Sequence, residues 1–431
     1  MASSMNTFFT CPAFFTMVKN MGGETADDVQ FATDRFRRLN DAFVGAFGVQ
    51  PSVLVSTPGR VELCGNHTDH NHGRVLAASI QLDSIAAAAA SSENIVTLRS
   101  QGYAEPFRID LKYLDRIPEE AGTTAALVRG IAARFRHSGY AIGGFTAAVM
   151  SDVLPGSGLS SSASIEVLLG TIFNALFNDG RIEPAQLAHI GQFAENVYFG
   201  KPCGLMDQLT CALGGIVSFD FADPATPVTR TFRSQFEERG LALLVVHTGG
   251  NHVDLTAEYA AVPKEMKDVA HYLGYTVCRD LQFNTVLQAI PLLRPAVGDR
   301  AILRAIHFLS ENERVSEQVQ ALDRDDIDEF LRLMNASGSS SSRWLQNCSP
   351  SGSIREQGVT LALALSEWFI HSVGRGACRV HGGGFAGTIL TVIPADAVPA
   401  YMHMMTPVFG DRAITRLRIR NVGTLALPTS Q

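Results

Sequence analysis

The stretch VLPGSGLSSSASIEVLLGTIFNALFNDG, Val153 to Gly180, constrains the fold more than any other part of this 431-residue chain. Gly156 and Gly158 remove Cβ atoms where the backbone has to come close to a ligand. Ser160, Ser161 and Ser162 follow at once. Then Ile165, Leu168, Leu169, Ile172 and Leu176 mark the apolar face of a helix that the sequence NDG ends. A glycine turn feeding a helix N-terminus turns free N–H groups and the positive end of the helix dipole toward an anion. The dipole contributes only about 0.3–1 kcal/mol at an exposed end, so aimed N–H and hydroxyl donors must do most of the holding. The competing reading is a Ser-rich cap on an ordinary core helix. The glycines and the serine triplet together favour a phosphate loop, with a serine hydroxyl available to Mg²⁺. No GxxxxGK[ST] run occurs, nor a protein-kinase catalytic loop or DFG. A nucleotide held here sits in another kind of fold.

A chain of this length exceeds one ordinary core, so two domains are expected. Hydrophobic content of 46% and charged content of 18% are those of a globular protein. Thirty-five basic against 42 acidic residues give a net charge of −7, with no long basic run. Neither a nucleic-acid nor a membrane partner is expected. The seven cysteines are scattered and never spaced as CxxC, which argues against a disulfide framework or structural zinc and for a reducing cytoplasm. The N-terminal twenty residues make a poor signal peptide, and DSIAAAAASS is too short to span a bilayer.

Residues 1–28 read as a loose tail. After it, Phe31, Phe36, Leu39, Phe43 and Phe47 are expected on one helical face. Strand-like and helical segments then interleave to about Asp220 without a regular βαβ rhythm. The Pro-containing SFDFADPATPV marks the expected boundary between domains at 29–225 and 226–431.

Three further stretches bear chemistry. In AENVYFGKPCGLMDQLTCALGG, Glu195 lies near the end of a helix opened by Pro184, and Asp207 follows Gly204. Two such carboxylates can divide labour, one holding a metal and the other orienting or deprotonating a hydroxyl. Taken singly, each reads more readily as a solvated surface acid. CGNHTDHNHG, Cys64 to Gly73, is dense enough in His and Asp for a metal site, or it is a polar loop built to grip a ligand. VHGGGFAGT, ending at Thr388, is a second backbone cradle or simply a tight hairpin.

In their order and spacing, PGRVELCGNHTDHNHG, PGSGLSSSAS, CGLMDQ and HGGGFAGT resemble the galactokinase branch of the GHMP small-molecule kinases, from about residue 50 onward. HFLSENERV and NHVDLTAEY also look like segments of that family. The resemblance implies an α+β, two-lobed GHMP-kinase fold with the site between the lobes. Its N-terminal lobe would be of a kind also seen in a small-subunit ribosomal protein, and its C-terminal lobe ferredoxin-like. It implies transfer of the ATP γ-phosphoryl group to the anomeric hydroxyl of a hexose, most simply galactose. Gly156, Gly158, Ser160, Ser161 and Ser162 would cradle the triphosphate, and Ser162 and Glu195 would hold Mg²⁺. Asp207 would act on the sugar hydroxyl with Arg60 beside it. Asn66, His67, Asp69, Gly204 and Tyr259 would bind the sugar, and His70 and His72 would be bystanders. On this reading the His-rich loop holds hydroxyls rather than metal.

Two departures from the family matter. Most galactokinases carry a glutamate where this chain has Asn66, and that glutamate accepts a hydrogen bond from the sugar's 6-hydroxyl. Asparagine removes the charge and adds donors, so galacturonate or arabinose becomes compatible with the pocket. Thr124 and Leu127 stand where galactokinases often carry the aromatics that stack on adenine, which leaves GTP open as a donor. A catalytically silent sugar sensor on the same fold and a metal-dependent hydrolase are the other classes to weigh. The oligomeric state is not legible.

Overall fold

The computed structural model describes residues 8–23, 25–153, 158–249, 255–352 and 354–429. Two sheets organise them. The first contains β1 (Val53–Cys64), β2 (Arg74–Ala90), β3 (Ile95–Ser100), β4 (Phe107–Asp110), β5 (Phe145–Ser151), β6 (Ile216–Asp220) and β7 (Val228–Phe232), together with β12 (Leu425–Pro428). Its order is β12-β1-β2-β5-β3-β4, with β6 on the other half of β2 and β7 beyond it. All of these pairs are antiparallel except β3 with β5. The second sheet has four antiparallel strands, β11-β8-β10-β9, from β8 (Leu241–His247), β9 (Ala377–His381), β10 (Thr388–Pro394) and β11 (Ile414–Leu417).

β1 and β2 are almost wholly buried because helices cover both faces of the first sheet. On one face Val55, Ala86 and Ala88 pack with Leu169, Ile172 and Phe173 of the helix Ser161–Phe177 and with Val128 and Ile131 of the helix Thr124–His137. On the other face Leu54, Ile85 and Ala87 meet Phe14, Phe36, Leu39 and Phe43.

That second layer corrects the expected loose tail. Residues 12–20 form a helix, Pro12–Asn20, and Phe9, Phe14, Met17 and Val18 are buried beneath the sheet. The following helix, Ala26–Phe47, starts at a reciprocal cap in which Thr25 and Asp28 satisfy each other's backbone N–H groups. Phe31 does not share its buried face and is 60% exposed. At about 100° per residue it lies about 140° around the helix from Phe36.

The expected cut at 225/226 is also corrected. β7 and β12, both beyond it, complete the first sheet. One core is common to both lobes: Val61, Leu63 and Leu76 of the first sheet pack with Leu243, Val245 and Leu390 of the second. Phe330 and Met334 of the helix Ile327–Ser340 fill the space between. Among the described residues no helix is long and apolar enough to cross a membrane.

Candidate active site

β1 delivers Arg60 to the site. Its register with β2 shifts between Pro58 and Arg60, a bulge that re-aims the strand where it passes the phosphate loop. There the Arg60 backbone N–H donates to Leu159 O at 3.1 Å, and its Nη1 donates to Gly158 O at 2.5 Å. Gly158 has φ +76°, and a Cβ on it would stand 2.7 Å from Thr388 Oγ1, so only glycine fits both the backbone and the space. Gly156 lies outside the described residues.

The helix Ser161–Phe177 follows directly, with Ser160 as its N-cap in the left-handed region (φ 61°). Ser160 does not cap with its side chain. Its Oγ donates instead to Asp207 Oδ2 at 2.6 Å. Ser161 opens the helix, half-buried. Ser162 Oγ donates to Glu195 Oε1 at 3.0 Å.

The two carboxylates stand on different kinds of backbone, a π-helical turn and a regular helix start. The helix Pro184–Phe193 widens into a π-helical turn, Ala194–Phe199, which puts Glu195 inside at 2% exposure. Such turns recur at functional sites. Asp207 sits in the first turn of the helix Met206–Leu213. Arg60 grips it twice, Nε to Oδ1 at 2.7 Å and Nη2 to Oδ2 at 3.0 Å. Burial alone would raise its pKa, but the charge and hydrogen bonds of Arg60, with the Ser160 hydroxyl, hold it below the ordinary value. Asp207 is therefore ionised, and its side chain keeps 29% exposure toward the site. Glu195 Oε1 also accepts from the Lys201 ammonium at 3.0 Å, while Oε2 accepts from Gln208 Nε2 at 2.9 Å.

The His-rich loop closes on itself through Thr68, whose hydroxyl bonds the carbonyls of Gly65 and Arg74. His67 adopts a positive φ of 58° and bonds Gly383 O through Nε2 at 2.9 Å. A carbonyl only accepts, so Nε2 carries the proton and Nδ1 is left as an acceptor. Burial is the main cause that lowers the His67 pKa to about 4, so the ring is neutral at physiological pH. Asp69 reaches the segment before Asp207: a Cβ on Gly204 would fall 2.1 Å from Asp69 Oδ2. Tyr259 donates its hydroxyl to Gly384 O at 3.1 Å, so Asp69, Gly204, His67 and Tyr259 are tied to one region. The three histidines do not converge. Among the described residues no group of three His, Cys, Asp or Glu side chains is placed to hold a metal ion.

Asn66 departs from expectation. It is fully buried, and every hydrogen-bonding position of its amide is used by protein. Nδ2 donates to Glu62 Oε1 at 2.9 Å and to Gly382 O at 2.8 Å. Oδ1 accepts from Asn347 Nδ2 at 2.8 Å and Ser341 Oγ at 3.3 Å. It clamps the glycine turn between β9 and β10 to the His-rich loop, and offers nothing to a sugar. Leu127 likewise faces the core at 5% exposure, so it presents no surface to a base. Asn251 to Asp254, in the family-like NHVDLTAEY, lie outside the described residues.

Sequence reasoning missed the buried charges beneath this loop. Arg379 Nη2 donates to Glu62 Oε1 at 2.9 Å. Glu311 accepts from Gly65 N at 3.0 Å and from Ser337 Oγ at 2.5 Å, and is paired with Arg314. Burial would raise the Glu311 pKa, but His307, Arg314 and Arg379 bring it down to about 2. His307 Nε2 donates to Asn66 O at 3.0 Å. The available signals were a charged residue inside the short apolar strand ACRVH and a His and Glu spaced i, i+4 in HFLSE.

With this geometry in place, the chain can be set beside known proteins. Residues 41–90 match the galactokinase galactose-binding signature, and residues 126–215 match the GHMP kinases N-terminal domain. A galactokinase from Bos taurus is 32% identical over 377 residues, covering 86% of this chain and 91% of its own. The chain belongs to the galactokinase family. With membership comes the reaction class, phosphotransfer to an alcohol group. The crystal structure of Lactococcus lactis galactokinase complexed with galactose is 24% identical, covers 91% of this chain and 100% of its own, and has a TM-score of 0.77. Methanococcus jannaschii mevalonate kinase, at 16% identity, covers 85% of this chain and 98% of its own with a TM-score of 0.60. These two likenesses establish the two-lobed GHMP-kinase fold.

Proposed function

We propose that this galactokinase-family chain transfers the γ-phosphoryl group of ATP to the anomeric hydroxyl of galactose, in the cytoplasm. The observation that carries the reading is the Arg60–Asp207–Ser160 clamp, which joins the phosphate loop to the segment against which Asp69 packs. Phosphoryl transfer asks a protein mostly for positioning and charge neutralisation. Asp207, kept ionised by three donated hydrogen bonds, accepts a hydrogen bond from the sugar O1 hydroxyl and aims it at the phosphorus. Its low pKa makes it a weak base, so it takes the proton late, as the O–P bond forms. Arg60 offsets the charge beside the transferred group.

Neutral His67 accepts a sugar hydroxyl at Nδ1, and Asp69 accepts another. The free N–H groups at the start of the helix Ser161–Phe177, with the Ser161 hydroxyl, take the phosphates. The site also fits Mg²⁺. Ser162 Oγ and Glu195 Oε1 are hard oxygen donors 3.0 Å apart, few enough that water and phosphate oxygens would complete the octahedron. When bound, the ion would neutralise charge on the triphosphate. The unpaired cysteines, most of them buried, suit a reducing compartment.

The test is ADP release with Mg²⁺ and ATP over galactose, galacturonate, arabinose, N-acetylgalactosamine and glucose, repeated with GTP. Selective turnover of galactose is expected. Preference for another sugar would replace the substrate and keep the mechanism. No turnover with any sugar would overturn the enzyme reading in favour of a sensor.

A further inference from the structure

Lys201 stands where the chain leaves the π-helical turn. Its backbone N–H donates to Glu195 O at 3.1 Å, anchoring the base of its side chain beside the carboxylate its ammonium touches. The two partners differ sharply in exposure: 61% for the lysine side chain and 3% for Glu195. The exposed lysine can pass to water or another anion, but the buried carboxylate cannot, so the pair parts when another cation takes Glu195. The lysine is thus the exchangeable partner of an oxygen that Ser162, in the first turn of the phosphate-facing helix, also bonds. Two hydrogen bonds of 3.0 Å each connect its Nζ through Glu195 Oε1 to Ser162 Oγ. The Asp207 carboxylate acts on it as well. A compact charge on a flexible stem beside a helix N-terminus is suited to a phosphate oxygen.

We propose that Lys201 is a further phosphate-binding residue, whose ammonium neutralises Glu195 in the free enzyme and moves to a terminal phosphate oxygen of the nucleotide when the metal takes that carboxylate. This rests on the site reading above and goes beyond it, since it gives the free enzyme its own stand-in cation. The alternative is that Lys201 only occupies the carboxylate and competes with the metal.

The test is nucleotide binding by calorimetry, without sugar or turnover, for the native protein, Lys201→Met and Lys201→Arg. Each is titrated with ATP in EDTA and with ATP plus Mg²⁺. The expected result is at least a ten-fold weaker affinity for Lys201→Met with Mg²⁺, where the metal takes Glu195 and frees the ammonium for the phosphate, and a smaller loss in EDTA, where the lysine stays on the carboxylate. Lys201→Arg should stay within about three-fold of the native protein. Unchanged or tighter binding of Lys201→Met in Mg²⁺ would overturn the proposal and leave the lysine a placeholder. If the native protein binds nucleotide in neither condition, the phosphate site itself is wrong, a failure distinct from that of Lys201.

Discussion

Replacing Asn66 by aspartate keeps the side chain's shape and exchanges two N–H donors for a carboxylate oxygen. That oxygen would face Glu62 Oε1 and the Gly382 carbonyl at 2.9 and 2.8 Å, with no solvent exposure. At pH 7 the new carboxyl has two options. It can remain charged against Glu62, for which a broken buried pair suggests about 3–5 kcal/mol. Or it can take a proton that the unfolded chain, with a pKa of about 3.9, does not hold, at about 1.4 kcal/mol per pH unit, or about 4 kcal/mol. The protonated form supplies one O–H where two N–H groups stood, leaving an acceptor short for about 1 kcal/mol more. A loss of about 4–5 kcal/mol at pH 7 follows for Asn66→Asp. The folded pKa of the new group lies above its unfolded value, so the folded state binds the extra proton and the penalty shrinks as pH falls. Between pH 7 and pH 5 it narrows by about 2.7 kcal/mol. Guanidinium denaturation of both proteins at the two pH values measures this, and the difference between them cancels the other titrating groups. A pH-independent difference near zero would refute the clamp. If that came with an altered galactose-to-galacturonate rate ratio, Asn66 would face the sugar after all.

Asp207→Asn should retain the fold and lower kcat by about 10³-fold or more, since an amide cannot take the proton of the attacking hydroxyl; circular dichroism with steady-state kinetics checks both. Gly204→Ala puts a methyl group 2.1 Å from Asp69 Oδ2, so the sugar KM should rise at least ten-fold with the KM for ATP little changed. Because the folded His67 pKa is lowered to about 4, its neutral form, favoured by the fold, persists as pH falls from 8 to 5. The sugar KM should therefore stay flat over that range. A rise with a midpoint near 6.5 would show an ordinary, exposed imidazole instead.

The glycine turn feeding a serine-rich helix start was legible because it is local, whereas Glu195, Asp207 and the His-rich loop, each open to a bland reading alone, drew their roles from the resemblance. Arg60 was legible only through resemblance, because nothing in PGRVEL says which side of a buried strand faces the site. Asn66 misled for a physical reason. A polar residue in a binding loop has the same letters whether its amide meets a ligand or a partner from a distant element, and here those partners are Ser341 and Asn347. Burial of the Pro12–Asn20 helix was missed because its phenylalanines follow no long period. The helix is short and pays its cost by covering a sheet face that only the full topology exposes.

The pairing of β1 with β12 has a consequence for synthesis. Thr57 and Thr424 share a hydrogen bond of 2.7 Å across 367 positions, and Arg420 reaches Ser56 and Asp83 in the interior of the first lobe. As the chain leaves the ribosome, the edge of β1 stays unpaired until those last residues emerge, so the first lobe cannot finish while it is being made. Its hydrophobic sheet must wait, half-assembled, through the translation of the entire second lobe. That exposes this chain to chaperones, and to aggregation, for longer than one whose domains close in turn.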